Sequence, residues 1–229
     1  MATSTDPTPT DTALLQAARM GDAAAAEALL IRHAPLITRF ARSMCTRRED
    51  AEDVAQESLI TAARAFRDLR TDRVESWLFA VTRSFCGKTR RRRKGQPAET
   101  EQLEADVLAT EDRGPEQALA SRELGLVLDR AVRSLDPDKR AVLVLRDMEG
   151  LPASQVAAML GLEVGAVKSR LHRARAAVRS QVGPDVDQLE SGLVGCRAPD
   201  LPPESLVAQV RTAVELARSA EPDSRPRRR

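Results

Sequence analysis

The residues best suited to chemistry lie on one predicted helix in the second half of the chain. Between Val164 and Arg179 this segment carries Lys and Arg side chains and no acidic residue. Apolar residues recur there at helical spacing, so the positive charge concentrates on the opposite side of the helix. Such a face suits the phosphates and base edges of DNA. The candidate residues on and beside that face are Ala166, Lys168, Ser169, Arg170, His172, Arg173 and Arg175.

A shorter helix precedes this basic helix across a tight turn. Val156 and Leu160 share one face, and the small Ala157 stands where two helices cross closely. Gly161 ends the helix because glycine tolerates a positive φ. The pattern predicts a helix-turn-helix whose second helix reads a DNA groove. A basic helical hairpin with a solvated face is the alternative, and the agreement of turn, small residue and charge favours DNA binding.

A second candidate surface lies on the helix predicted from Glu49 to Phe66. Its polar face gathers Glu49, Asp53, Gln56 and Glu57 at spacings typical of one helix side. These groups suit a basic protein surface, but composition alone allows an ordinary solvated face equally well. Paired carboxylates for acid–base catalysis are a third interpretation. Nothing apolar, metal-binding or nucleophilic accompanies them, which disfavours catalysis.

A third candidate surface is the run RSFCGKTRRRRK, which contains seven basic residues and no acid. Each phosphate that such a run neutralises steepens the salt dependence of binding by about 0.9 log units. A solvated helix end and a nuclear-localisation-like run are the alternatives. The run continues a predicted helix on which Trp77, Val81 and Phe85 point into the core. That continuity favours a structured, DNA-facing helix end that supplies affinity and no sequence choice.

The elements that position these surfaces are predicted to be helical throughout. Strand-like alternation is missing, and helical periodicity appears nearly everywhere. The predicted fold is all-α, with two small helical domains joined by a flexible acidic linker and a helix-turn-helix in the second domain. The predicted boundaries are a disordered leader at 1–10, a first domain at 11–94, a linker at 95–118, a second domain at 119–182 and an accessory tail with an amphipathic helix at 183–229.

Local signals predict where the helices of the first domain begin and end. Asp11 is expected to cap the first helix, and a second helix is expected to end near Arg32. Pro35 suits the first turn of a separate third helix. Thr46 and Glu49 have the spacing of a capping box for the next helix.

Composition restricts the class of protein further. Cys45, Cys86 and Cys196 stand far apart without metal-ligand spacing, and His33 and His172 form no metal motif. Free thiols in a reducing compartment, with no metal and no cofactor, are therefore expected. No apolar run approaches about 20 residues, which predicts no membrane insertion. The first residues lack the features of a signal peptide, so a cytoplasmic protein is expected.

Three segments together carry a resemblance to a known family. They are REDAEDVAQESLITAARAF, WLFAVTRSFCGKTRRRRK and LDPDKRAVLVLRDMEGLPASQVAAMLGLEVGAVKSRLHRAR. On these segments the chain resembles the extracytoplasmic-function (ECF) group of bacterial sigma factors, within the sigma-70 family. The resemblance covers 23–94 and 119–182, and VKSRLHRAR is its most specific core.

The resemblance implies a transcription initiation factor without catalytic activity, whose partners are core RNA polymerase, promoter DNA and, in many relatives, an anti-sigma protein. Asp53, Gln56 and Glu57 match the family's Asp-x-x-Gln-Glu segment, which docks on the clamp helices of the largest polymerase subunit. The acidic linker is implied to thread toward the active-site and RNA-exit channels. Contacts to the −10 element are implied for Trp77, Arg83, Ser84, Lys88, Arg90 and Arg91.

In the second domain, Ser169, Arg170 and Arg173 are expected to face the −35 major groove. Backbone phosphates are the expected partners of Lys168, His172 and Arg175. Some positions depart from the family pattern: Ser84 and Lys88 stand where Asn and Asp are common, Pro152 replaces a frequent capping Ser, and Ala166 replaces a hydroxyl residue.

Two rival functions remain open. A stand-alone helix-turn-helix regulator shares the second domain but leaves the acidic face at Asp53 unexplained. A nucleic-acid enzyme would need clustered metal ligands, which the sequence lacks. For the tail, the apolar stripe between Pro203 and Arg218 suggests a helix that folds back and masks a polymerase- or DNA-binding surface.

Overall fold

A computed structural model describes residues 9–93, 115–182 and 203–219 of the chain. Every regular element within these ranges is helical, which confirms the predicted all-α class. Most of the predicted leader, the linker up to residue 114 and the rest of the tail lie outside the described residues.

The described residues form a first helical unit, a second helical unit and one helix from the tail. The first unit contains α1 (Asp11–Arg19), α2 (Ala23–Met44), α3 (Arg48–Ala65), a 3-10 turn (Phe66–Asp68) and α4 (Val74–Arg93). The second unit contains α5 (Pro115–Ser134), α6 (Pro137–Leu143), a π-helical segment (Val144–Met148), α7 (Ala153–Leu160) and α8 (Val164–Val182). The tail helix is α9 (Pro203–Ser219).

Helix α2 is one long helix, whereas the sequence predicted two helices separated before Pro35. Pro35 lies inside the helix, where its missing N–H removes one backbone hydrogen bond. Leu30, Ala34 and Ile37 on both sides of it are buried in the same core. The burial of these apolar side chains favours a continuous helix over a break.

The cap of α1 also differs from the prediction. Thr10 is the N-cap, and its hydroxyl accepts a hydrogen bond from the Ala13 N–H at 3.3 Å. Asp11 lies in the first turn, where its carboxylate pairs with Arg32 at 2.5 Å and with His33 Nε2 at 2.9 Å. Asp11 therefore ties α1 to α2 instead of capping its own helix.

The capping box predicted for α3 does not form. The N-cap is Arg47, whose side chain makes no capping hydrogen bond. The preceding loop is held from outside, because Arg133 donates to the carbonyls of Cys45 at 2.6 Å and Thr46 at 3.3 Å. This long-range contact replaces the local pairing expected between Thr46 and Glu49.

The buried face of α4 is rotated relative to the predicted one. Trp77, Val81 and Phe85, which were expected to point into the core, are only half-buried. Thr82 can occupy the interior because its hydroxyl donates to the Leu78 carbonyl at 2.9 Å. The residues that α4 does bury are Val74, Leu78, Phe79, Thr82 and Cys86.

The two units pack against each other and share a core. Phe40 of α2 and Phe79 of α4 belong to the hydrophobic cluster of the second unit, with their ring centroids 5.0 Å apart and an edge-on angle of 70°. Beside them, Arg39 pairs with Glu149 at 2.9 Å, and both side chains are at most 9% exposed. The sequence predicted two domains and a linker but not this contact between them.

The tail helix α9 packs on the first unit. Leu206, Val210, Ala213 and Val214 are buried in the core that α1, α2 and α3 form. At its edge, Arg211 pairs with Glu27 of α2 at 2.9 Å. The amphipathic stripe expected from the sequence is therefore confirmed, and its apolar side completes the core of the first unit.

We expect Val210→Asp to destabilise the first unit by at least about 2 kcal/mol, because it places an unpaired carboxylate in an apolar core. The free energy of unfolding from urea titration measures this loss. Thr212→Asp is the matched control, since Thr212 is exposed on the same helix. Equal stability of the two variants would show that α9 does not belong to this core.

Candidate nucleic-acid interface

The helix-turn-helix is built around a left-handed glycine. Gly161 ends α7 with φ of 65°, and the Leu162 N–H donates to the Ala157 carbonyl at 2.9 Å. Leu160 is half-buried, and Met159 takes the interior position instead. The other residues of the motif that were predicted to face the core are buried: Val156, Ala157, Val167, Leu171, Ala174 and Val178.

Two glycines of the motif predict opposite effects on stability. Gly161→Ala forces a Cβ into the left-handed region and should destabilise the chain by about 1 kcal/mol. Gly165→Ala, within α8 and with open space around the added Cβ, should stabilise it by a few tenths to about 1 kcal/mol. Chemical denaturation of both variants checks the signs, and a common sign would contradict the proposed role of Gly161.

The polar side of α8 is open to solvent. Lys168, Ser169, His172 and Arg173 are exposed, and Ala166 and Arg170 are half-buried. Arg173 donates from Nη2 to the Ser169 hydroxyl at 3.0 Å, one helical turn away. The structure thus brings six of the seven predicted residues to one accessible surface.

Arg175 has a different environment from the other six. Its Nε and Nη2 donate to the two carboxylate oxygens of Asp147, each at 2.8 Å, and the Asp147 side chain is 3% exposed. This bidentate pair anchors α8 to the π-helical segment. The predicted phosphate contact conflicts with this pairing, so we leave Arg175 out of the proposed DNA surface.

The acidic face of α3 is also exposed. Asp53, Gln56 and Glu57 point to solvent, while Val54 and Ser58 on the other side are buried. Helix α9 packs on α2 and α3 without covering these three side chains. The described part of the tail thus folds back on the first unit and leaves the acidic face uncovered; whether it masks a DNA-binding surface stays a prediction.

The predicted −10 residues divide into two groups. Ser84, Lys88, Arg90 and Arg91 are exposed on α4. Trp77 is half-buried with its ring 6.3 Å from that of Phe66. Arg83 is half-buried and pairs with Asp138 of the second unit at 2.6 Å.

A groove between α3 and α4 joins the acidic face to the basic helix. It encloses about 530 Å³, and Asp53, Gln56 and Glu57 line one wall. Phe85 and Lys88 of the other wall were predicted from the sequence in different roles, whereas Thr89 and Arg92 were missed, although their spacing along α4 could have indicated them. That wall contains Phe85, Lys88, Thr89 and Arg92.

One ion pair fixes the basic end of α4 against α3. Arg93 contacts the carboxylate of Asp50 through Nε at 2.6 Å and Nη2 at 2.7 Å, and the Asp50 side chain is 5% exposed. The hydrogen bond to Asp50 raises the pKa of Arg93. This ion pair holds the last residue of α4 against the start of α3.

The second unit lies against the base of α4. Besides the Arg83–Asp138 pair, the Gln155 amide of α7 donates to both carboxylate oxygens of Glu75, at 2.9 and 3.1 Å. The first contact joins α6 to α4, and the second joins α7, the first helix of the helix-turn-helix, to α4. Helix α4 is the one predicted to meet the −10 element. The second unit is therefore fixed to α4 through α6 and α7.

Two classes of site are absent from the part of the chain that the structure describes. No group of three or more His, Cys, Asp or Glu side chains there could hold a metal ion. None of the helices there combines the length and apolar character needed to cross a bilayer.

Two segments of the chain match known sequence families. Residues 29–96, which span α2 to α4, match the family described as Sigma-70 region 2. Residues 125–178, which include the helix-turn-helix, match the family described as Sigma-70, region 4.

Curated relatives extend the similarity over most of the chain. The ECF RNA polymerase sigma factor SigE of Mycolicibacterium smegmatis is 36% identical over 174 residues, covering 75% of this chain and 67% of that protein. SigM of Mycobacterium tuberculosis, also an ECF RNA polymerase sigma factor, is 36% identical over 174 residues, covering 76% and 85%. The ECF RNA polymerase sigma-E factor of Escherichia coli is 31% identical over 187 residues, covering 76% and 95%.

Two solved structures share the fold. CnrH in complex with the cytosolic domain of CnrY aligns with a TM-score of 0.56 and 27% identity, covering 77% of this chain and 98% of CnrH. The sigma factor RpoE in complex with the anti-sigma factor NepR from Bartonella quintana aligns with a TM-score of 0.50 and 25% identity, covering 69% and 95%.

Proposed function

The chain belongs to the ECF sigma factors of the sigma-70 family, and we propose that it guides core RNA polymerase to promoters by contacting their −35 and −10 elements and helping to open the DNA. As a member of this family it is a transcription initiation factor, a regulatory protein and not an enzyme. The observation that carries the finer proposal is the exposure of two unlike surfaces, acidic on α3 and basic on α8.

The acidic face of α3 is the proposed polymerase contact. Asp53, Gln56 and Glu57 are exposed beside one another, and the half of α3 behind them is buried in the core. A rigid helix that presents carboxylates at fixed spacing suits a basic partner surface, because complementary charge sets orientation and rate of association.

The exposed side of α8 is the proposed −35 contact. Arg170 and Arg173 lie about one helical turn apart on the side that also carries Ser169, which accepts a hydrogen bond from Arg173. Arginine can donate two hydrogen bonds to O6 and N7 of guanine, which distinguishes bases in the major groove. Lys168 and His172, on the flanks, are proposed to contact backbone phosphates.

The exposed end of α4 is the proposed −10 contact. Lys88, Arg90 and Arg91 supply positive charge next to Ser84. Because Ser84 and Lys88 replace residues common in the family, we propose that they alter the preferred −10 sequence. Arg83 would need the second unit to move before it meets DNA, because it pairs with Asp138. Trp77 packs against Phe66 within the first unit.

Engaging both promoter elements requires the two units to separate. Elements 25 base pairs apart are roughly 85 Å apart along B-DNA, at about 3.4 Å per base pair. Two units of this size that share one core cannot span that distance. The contacts at Arg39–Glu149, Arg83–Asp138 and Glu75–Gln155 therefore break when both elements are bound.

We further propose an anti-sigma partner and a cytoplasmic site of action. Both solved neighbours are complexes, one of them with a protein called an anti-sigma factor. A partner that holds the two units together would keep the chain from spanning a promoter. Such a partner would be a polypeptide that contacts both units at once.

Run-off transcription with purified bacterial core polymerase on a library of promoter fragments tests the proposal. Initiation that requires this protein, at fragments sharing −35 and −10 sequences, is the expected result. DNA binding without any association with core polymerase would instead identify a stand-alone regulator.

A further inference from the structure

Two cysteines that are 41 positions apart in the sequence meet inside the first unit. Cys45 ends α2 and Cys86 lies within α4, and their Sγ atoms are 3.9 Å apart. The sequence suggested isolated thiols, because no short spacing links them. Both are free and buried, at 6% and 7% exposure.

We propose that Cys45 and Cys86 form a reversible intramolecular disulfide when the chain meets a hydroperoxide. The Sγ–Sγ distance in a disulfide is about 2 Å, so the sulfurs must approach by about 2 Å more. Rotation of the Cys45 side chain and a small shift of the C-cap of α2, where Cys45 has φ −91° and ψ 150°, would supply this movement. Three of the residues clustered with the pair are alanines, which leave room for the shift; the cluster contains Ala41, Ala51, Val54 and Ala55, with Met44 and Phe85 packed against it.

The surroundings prepare Cys45 to react first. The hydrogen bond between the two sulfurs lowers the pKa of Cys45, and the guanidinium groups of Arg133 and Arg140 act in the same direction. Burial and the carboxylate of Asp50 oppose them. The same hydrogen bond raises the pKa of Cys86, which therefore keeps its proton while Cys45 attacks.

The reaction balances in two steps. The Cys45 thiolate attacks one peroxide oxygen, the O–O bond breaks, and the departing hydroxide takes a proton to become water. The Cys86 sulfur then attacks the Cys45 sulfenic acid, the S–O bond breaks, and hydroxide leaves with the Cys86 proton as a second water. Two thiols and one hydroperoxide thus yield one disulfide, and the peroxide oxygens receive the two electrons.

A small oxidant can reach the pair from the loop between α2 and α3. Thr46 is exposed next to Cys45, and Arg47 is half-buried. The start of α3 has no side-chain cap, and the loop is held mainly by Arg133, which donates to the carbonyls of Cys45 and Thr46. Local opening needs only these contacts to break, so it costs less than unfolding of the helices. The thiols are thereby protected from large reagents yet accessible to a peroxide.

The pairing pattern of the full chain tests this inference. Three cysteines allow three pairings, and the folded protein treated with hydrogen peroxide should give the 45–86 disulfide alone in a non-reducing peptide map. Dithiothreitol should restore both thiols, and the oxidised protein should melt several degrees higher because the crosslink restricts its unfolded state. The same chain oxidised in urea should give a mixture of pairings.

Single replacements provide the controls. With Cys196→Ser, the intact mass should still fall by two hydrogen atoms on oxidation and no dimer should form. Cys45→Ser and Cys86→Ser in that background should each remain without an intramolecular disulfide. Two free thiols after peroxide treatment of the folded wild-type chain, or a disulfide to Cys196 in its place, would overturn the inference. These readouts are independent of transcription.

Discussion

Reversing two charges on α3, Asp53→Arg together with Glu57→Arg, is expected to weaken binding to core RNA polymerase by at least about 100-fold. Each like-charge contact in an interface costs several kcal/mol, and every 1.4 kcal/mol is about tenfold in affinity. Both side chains are exposed, so the fold should survive the change. Titration of fluorescently labelled protein with core polymerase measures the loss, and run-off transcription should disappear with it.

A matched control is available on α9. Glu204→Arg together with Glu215→Arg changes the net charge by the same amount at two exposed positions on another helix. This variant should bind polymerase as the wild type does. An equal loss in both variants would point to overall charge, and full binding by the α3 variant would contradict the proposed polymerase contact.

Replacing Arg173 with Ala is expected to weaken binding to the preferred −35 sequence by roughly 1–3 kcal/mol, or about 5- to 150-fold. The guanidinium is exposed, and its hydrogen bond to Ser169, 3.0 Å long, holds it on the polar side of α8. A base contact predicts that the loss falls on one position of the site. Binding to a set of single-base variants of the −35 element resolves this.

Lys168→Ala is expected to differ from Arg173→Ala, because Lys168 is proposed to contact a backbone phosphate and not a base. It should weaken binding similarly on all sequences and reduce the slope of log affinity against log salt by about one unit. Uniform loss on every sequence for Arg173→Ala would make Arg173 a phosphate contact as well. The comparison therefore separates recognition of sequence from attraction to the backbone.

Local sequence signals predicted the structure correctly where a residue's conformation and burial depend on its own segment. The buried face of α8 was predicted from apolar residues at helical spacing, and Val167, Leu171 and Val178 are indeed buried. Gly161 ends α7 in the left-handed conformation that its position predicted. Such features depend on periodicity and backbone preference, which a single segment carries by itself.

Local signals failed where a distant partner decided the outcome. Pro35 did not break α2 because the residues on both sides of it are buried in one core. The face that α4 buries includes Phe79, which packs against Phe40 and the second unit. Apolar residues on α4 fit two adjacent faces of the helix almost equally well. Only the packing of the neighbouring helices decides which face is buried.

The sequence by itself determined the helical class, the helix-turn-helix and the charge of each candidate surface, because hydrophobic spacing and charge are properties of short segments. Only the tertiary structure decided that Arg175 is held by Asp147, that the two units share a core, and that Cys45 meets Cys86. These contacts join residues 28 and 41 positions apart in the two pairs. Their formation depends on how whole helices pack, and no local pattern records that packing.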